Sequence, residues 1–148
     1  QDVVDHYKER WLLGTDKSPC NKGMLICLDR NTCLKMYELI TEKWKLAIES
    51  QAKELAEEEI IHCNDPDILD EKRRHLVWMQ ETKFAVVVSS EQSEIEEVAK
   101  FNDHNGNPLD ILKHRKILQE RKLDEEFKDS NNPLRFVIVC ECGSLVLT

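Results

Sequence analysis

Six cysteines, Cys20, Cys27, Cys33, Cys63, Cys140 and Cys142, are the most versatile side chains in this sequence. Thiolates hold zinc when four ligands converge, and the usual arrangement starts from two cysteines separated by two residues. No pair here has that spacing. Cys140-Glu141-Cys142 and His62-Cys63 place possible ligands close together, but neither makes half of a tetrahedral site. Two of the cysteines, Cys27 and Cys140, sit in or beside runs of Ile and Val, where a reduced thiol behaves as a small hydrophobe. The expectation is reduced cysteines and no metal, with a thiol or metal sensor on Cys140 and Cys142 as an alternative resting on spacing alone.

Other chemistry is conspicuous by its missing parts. A phosphate cradle needs glycines so that backbone N–H groups can approach the anion. Neither G-x-x-x-x-G-K-[ST] nor G-x-G-x-x-G occurs, and the chain holds only four glycines. There is no G-x-S-x-G elbow and no H-E-x-x-H helix. The 29 Asp and Glu residues are plentiful, but nothing marks two of them as an acid–base pair. No catalytic residue is assigned, and the chain by itself is expected to hold no active site and no cofactor.

Three elements must carry whatever binding there is. Met24–Leu28, Phe84–Val88 and Arg135–Cys140 are short apolar runs with polar borders, the pattern of strands buried on both faces of a parallel sheet. Ligands of such sheets collect at the carboxyl ends of the strands. Those ends read Asp29-Arg30-Asn31, Ser89-Ser90, and Glu141 onward. Arg30, Asn31, Ser89 and Ser90 are the candidate contacts to phosphate oxygens, Arg30 as a charged fork and the serines through their hydroxyls. The competing expectations are a surface ion pair of Arg30 with Asp29 or Glu38, and capping of the next helix by Ser89-Ser90.

Long helical stretches separate the strands. Asp2–Trp11 is a short amphipathic helix through Val4, Tyr7 and Trp11, and 14–23 is a polar linker. From Thr32 to Glu59, Leu34, Tyr37, Ile40, Trp44, Ala47, Ile48, Ala52 and Leu55 form one apolar stripe. Glu57, Glu58 and Glu59 oppose the dipole at its end, so fraying is expected there. Asp65-Pro66 breaks the chain before a helix over Asp67–Gln80, with Ile68, Leu76 and Met79 inward. Glu91–Phe101 follows the second strand as a helix with Ile95, Val98 and Ala99 inward, Asn102–Pro108 is a loop, and Leu109–Lys128 is one further helix. Apolar strands alternating with helices imply βαβ crossovers, hence an α/β fold with a parallel sheet flanked by helices.

The net charge of −8 and pI near 5.2 argue against a free-standing nucleic-acid binder, which needs a basic face. No apolar run approaches the ~20 residues of a membrane helix. With no basic-then-apolar leader at its start, the chain is expected to be soluble and cytoplasmic.

Two blocks of the sequence resemble a known family. "KGMLICLDRNTCLKMYELI" (Lys22–Ile40) resembles the motif IV region of the second RecA-like motor domain in the restriction subunit of type I restriction-modification enzymes. "DEEFKDSNNPLRFVIVCE" (Asp124–Glu141) resembles the stretch of those subunits that leads into motif V. In the family the strand continues into something like Met-Trp-Leu-Thr-Gly-Phe-Asp, whereas here "CGSLVLT" follows Glu141. One back-translation of Glu141 to Thr148, GAA-TGT-GGC-TCA-CTG-GTT-TTG-ACA, gives that motif when it is read from its third base. One missing A therefore converts motif V into this tail, and the expectation is a frameshifted piece: residues 1–148 as one truncated motor domain, 141–148 as its altered tail.

The resemblance implies a partial RecA-like three-layer fold. It also implies a parent subunit that is an ATP-dependent DNA translocase and site-specific endonuclease, with ATP and Mg2+ as cofactors bound mainly through a first motor domain. Its partners would be duplex DNA and the methylation and specificity subunits. Arg30 and Asn31 fall on motif IV, and Ser89 and Ser90 on a strand-end loop facing DNA phosphates. The alternative of another class is a small stand-alone acidic α/β module that binds a protein partner through its long amphipathic helix.

Overall fold

A computed structural model describes residues 2–10, 22–61, 65–90 and 92–141. Expectations for Trp11, the linker through residue 21 with Cys20, the His62-Cys63 pair, Glu91 and the 142–148 tail with Cys142 lie outside the described residues. In chain order the elements are α1 (Asp2–Glu9), β1 (Gly23–Cys27), α2 (Arg30–Ile61), α3 (Pro66–Glu81), β2 (Lys83–Val87), α4 (Glu94–Val98), α5 (Leu112–Glu120), α6 (Leu123–Lys128) and β3 (Leu134–Cys140). The three strands form one sheet in the order β1-β3-β2, parallel throughout. The α/β class with helices on both faces of a parallel sheet is thus what the chain adopts.

Register assigns each side chain to a face. Phe136 and Ile138 of β3 share one face with Leu25 and Cys27 of β1 and with Phe84 and Val86 of β2. Against it pack Tyr7 of α1, Leu34, Ile40 and Trp44 of α2, and Trp78 and Met79 of α3. Val137 and Val139 point the other way, with Ala85 and Val87, toward Ile117 and Leu118 of α5 and Leu123 and Phe127 of α6. β3, the central strand, is covered on both faces, as its unbroken apolar run requires.

The first core is aromatic. Tyr7 sits edge-on to Phe136 at 4.9 Å between ring centroids and 5.5 Å from Trp44, and Trp44 lies 5.5 Å from Phe84. Their polar atoms find backbone partners: Tyr7 Oη donates to the Arg135 carbonyl (3.1 Å) and Trp44 Nε1 to the Met79 carbonyl (2.9 Å). That satisfaction lets large amphipathic rings serve as core. Gly23 is the small residue beside them. A Cβ there would lie 2.7 Å from Phe136 Cδ2 and 3.0 Å from Tyr7 Cε2. Gly23→Ala is therefore expected to cost about 1–3 kcal/mol in urea unfolding by overpacking this ring cluster.

Several sequence expectations change. α2 runs to Ile61, and its acidic end is held by α3: Glu58 pairs with Lys72 at 2.5 Å and Glu59 with Arg73 at 2.6 Å. Cations from the neighbouring helix offset the dipole conflict that predicts fraying. In α3 the inward residues are Leu69, Trp78 and Met79, whereas Ile68 is exposed, because Asp65 and Pro66 start the helix and set its rotation. Asp65 Oδ1 accepts from the amides of Asp67 (3.1 Å) and Ile68 (3.4 Å).

The helix predicted over 91–101 shrinks to α4, with Val98 and Glu94 buried and Ile95 and Ala99 exposed. The helix predicted over 109–128 is two helices, broken where Arg121 turns extended and pairs with Glu126. β1 departs most from expectation. Rather than buried on both faces, it is an edge strand with Met24 and Ile26 exposed.

Candidate phosphate-contact edge of the sheet

Parallel pairing in register brings the three strand ends to one edge. Cys27 lies opposite Cys140 and Val87 opposite Val139, and the Glu141 amide donates to the Cys27 carbonyl at 2.9 Å. The candidate residues therefore share an edge although 60 positions separate Arg30 from Ser90.

At the β1 end, Asp29 caps α2. Its Oδ1 accepts from the Thr32 amide and its Oδ2 from the Thr32 hydroxyl, both at 2.8 Å, while its carbonyl accepts from the Cys33 amide at 3.1 Å. The Thr32 hydrogen bonds hold the Asp29 carboxyl below its usual range. Such a cap is worth about 1 kcal/mol. Arg30 and Asn31, both half-buried, thereby become the first two residues of α2. Asp29 accepts from Thr32, and Glu38 pairs with Lys113 of α5.

At the β2 end, Ser89 is half-buried and Ser90 exposed. The capping expectation does not hold, because α4 begins later and Ser93 occupies its N-cap position with φ 66° and no side-chain cap bond. The loop is instead fastened by Arg115 of α5. Its guanidinium donates Nη1 to the Val88 carbonyl and Nη2 to the Ser89 carbonyl, both 2.5 Å, and grips Glu94 with two parallel bonds of 2.7 Å. The paired side chains are only 15% and 10% exposed. No local spacing announces this pair, since Glu94 and Arg115 belong to different helices on either side of the 102–108 loop.

Three thiols also meet at this edge. Cys33, on the first turn of α2, lies near the Cys27 and Cys140 thiols; all three are free, and Cys140 Sγ donates to the Leu28 carbonyl at 3.9 Å. Burial pushes the Cys27 and Cys33 thiols up, so they stay protonated and behave as core. Among the described residues no group of three or more His, Cys, Asp or Glu is arranged to hold a metal ion.

Among the described residues this edge carries no glycine-rich turn. The described glycines, Gly23 and Gly106, lie at the start of β1 and in the 102–108 loop, so neither directly follows a strand. What it offers is an arginine and an asparagine at a capped helix start and two serines on a clamped loop, groups suited to contacts with oxygen atoms. No helix among the described residues is long and apolar enough to cross a membrane. No family model, curated protein or solved structure matches this chain.

Proposed function

We propose that this chain is a non-catalytic piece of the DNA-translocating motor of a type I restriction enzyme, derived from its second RecA-like domain. The observation that carries the reading is where its two resemblance blocks meet. Lys22–Ile40 builds β1 and the start of α2, and Asp124–Glu141 builds most of α6 and all of β3. These blocks, distant in the chain, pair residue for residue from Gly23 with Phe136 to Cys27 with Cys140. Motifs IV and V of a motor would need that adjacency to act on one strand of DNA together. Fold by itself does not carry function; the support here is the pairing of these two blocks.

In this reading Arg30, Asn31, Ser89 and Ser90 touch backbone phosphates, which position a duplex without reading its sequence. ATP and Mg2+ belong to the parent subunit, whose first motor domain supplies the glycine-rich loop. Cytoplasmic DNA restriction, with the methylation and specificity subunits as partners, is the setting proposed.

Sequencing the coding DNA and its source locus tests this directly. The expected result is GAATG where GAAATG stands in an intact gene, with motor sequence continuing in the shifted frame and methylation and specificity genes alongside. A locus without translocase-like sequence downstream would sink the proposal. In the frame-restored subunit, Arg30→Ala should weaken DNA binding similarly across sequences and reduce the slope of log affinity against log salt by about one. An unchanged slope would remove Arg30 from the DNA track.

A further inference from the structure

A cleft of about 400 Å³ opens beside the amino end of β3, lined by Arg73, Arg74, Val77, Trp78 and Glu81 of α3 and by Arg135 of β3. Arg74 lies three and four residues before Val77 and Trp78, and Glu81 four and three residues after them, so one face of α3 makes a wall. Arg135 is the second residue of β3, whereas Arg30, Asn31, Ser89 and Ser90 follow the carboxyl ends of strands. The cleft is thus separate from the candidate phosphate-contact edge, and its volume is that of a small-molecule site.

The chain carries a net charge of −8, yet three of its seven arginines meet here. Arg135 is as deeply set as Arg115, and the two are served differently. Arg115, 15% exposed, holds Glu94 through two bonds of 2.7 Å. Arg135, 13% exposed, spends Nη1 on the Trp78 carbonyl and the Thr82 hydroxyl, both at 3.0 Å. Its Nη2 lies 3.7 Å from Glu81 Oε2, beyond hydrogen-bond reach, and that carboxylate is 60% exposed. The guanidinium also sits 5.4 Å from the centre of the Trp78 ring, which helps to hold its plane. A cation so little exposed ordinarily has an anion in direct contact. Among the described residues no carboxylate hydrogen-bonds to Arg135.

The other walls set the rest of the chemistry. Arg73 and Arg74 stand in exposed pairs with Glu59 and Asp70, of a kind that solvent keeps weak. Val77, half exposed, and Trp78 give the cleft apolar surface. We propose that this cleft binds a small amphipathic anion, a carboxylate or phosphate group on an apolar body. Its oxygens accept from Arg135, whose anchored Nη1 leaves Nη2 to donate, and its body packs on Val77 and Trp78. Arg73 and Arg74 add positive potential at the rim. The proposal does not depend on the motor-piece reading.

Octanoate and octyl phosphate are the probes, with 1-octanol and inorganic phosphate as controls for the apolar body and the charge alone. Calorimetry and NMR shifts of the Val77 methyls and the Trp78 indole follow binding to the 148-residue chain. At least one amphiphile should bind with a Kd of about 1 mM or below. Each control should bind at least about 10-fold more weakly, since it forgoes either the charge-assisted bonds or the apolar contact. Arg135→Met should weaken the amphiphile by at least about 10-fold. Val77→Glu, at an exposed position outside the core, should do the same by setting a like charge in the cleft.

Binding of one probe without the other keeps the site and fixes its head group as carboxylate or phosphate. No shift at Val77 or Trp78 with either amphiphile would overturn the proposal. Unchanged affinity in Val77→Glu would overturn it as well, even if Arg135→Met fails to fold. 1-Octanol bound as tightly as octanoate would reduce the cleft to an apolar surface and remove the anion. The motor-piece reading stands or falls on the locus, whichever of these results is found.

Discussion

Arg115→Met should destabilise the protein by about 3–5 kcal/mol, a large share of the stability of a domain this size. The substitution keeps an apolar side chain of similar reach but strips every partner from Glu94 that Arg115 supplies, leaving a carboxylate that is 10% exposed without its cation. It also removes the donors to the carbonyls of buried Val88 and half-buried Ser89, just beyond the end of β2. Lys cannot copy the grip, because one ammonium cannot reach both carboxylate oxygens and two carbonyls in the plane that a guanidinium spans. Urea unfolding of Arg115→Met, Glu94→Gln and the double variant measures the coupling. The double variant should be more stable than Arg115→Met, since the buried charge has gone. A loss below about 1 kcal/mol for Arg115→Met would mean that water solvates the pair far better than its burial implies.

Acidification should begin to destabilise the protein before its carboxylates titrate, because of His114. This side chain is 2% exposed, edge-on to Tyr37 at 4.6 Å, and its Nε2 has no hydrogen-bond partner. Burial, reinforced by the nearby Lys113 charge, lowers its pKa to about 4. In the unfolded chain it titrates near about 6.5. Between those values the unfolded state binds the extra proton, so stability is intact above about pH 6.5 and falls with pH below it. The expected loss is about 2 kcal/mol by pH 5 and about 3 kcal/mol by pH 4. His75, lowered by burial in the same direction, adds to the trend. His114→Phe keeps a ring against Tyr37 and should flatten most of the slope between pH 5 and 7 in urea titrations. A slope that survives this substitution would place the acid sensitivity elsewhere.

The periodicities that were legible in the sequence are those set by burial along one element. β3 runs Phe136-Val137-Ile138-Val139 without interruption because it is central and packed on both faces, and the α2 stripe from Leu34 to Ile48 marks the side laid on the sheet. Asp65-Pro66 starts α3, and the Asn-Gly turn at Asn105-Gly106, where Gly106 φ is +83°, bends the 102–108 loop, both for local steric reasons that need no partner. The shared edge for Arg30, Asn31, Ser89 and Ser90 also follows from the strand pattern, since parallel strands end together.

Tertiary structure decided the rest. An apolar run carries no mark of whether a strand lies at the centre or the edge, so Met24 and Ile26 read like Val137 and Val139 until pairing left one face of β1 uncovered by the described residues. The acidic end of α2 holds because Lys72 and Arg73 arrive from α3, a cancellation invisible within one helix. Glu94 looks like a solvated dipole partner at a helix start, and it is buried because Arg115 folds back from beyond the loop. Local pattern reports how much of a side chain must be hidden, whereas the partner of a charge and the cover of a face depend on segments that only the folded chain brings together.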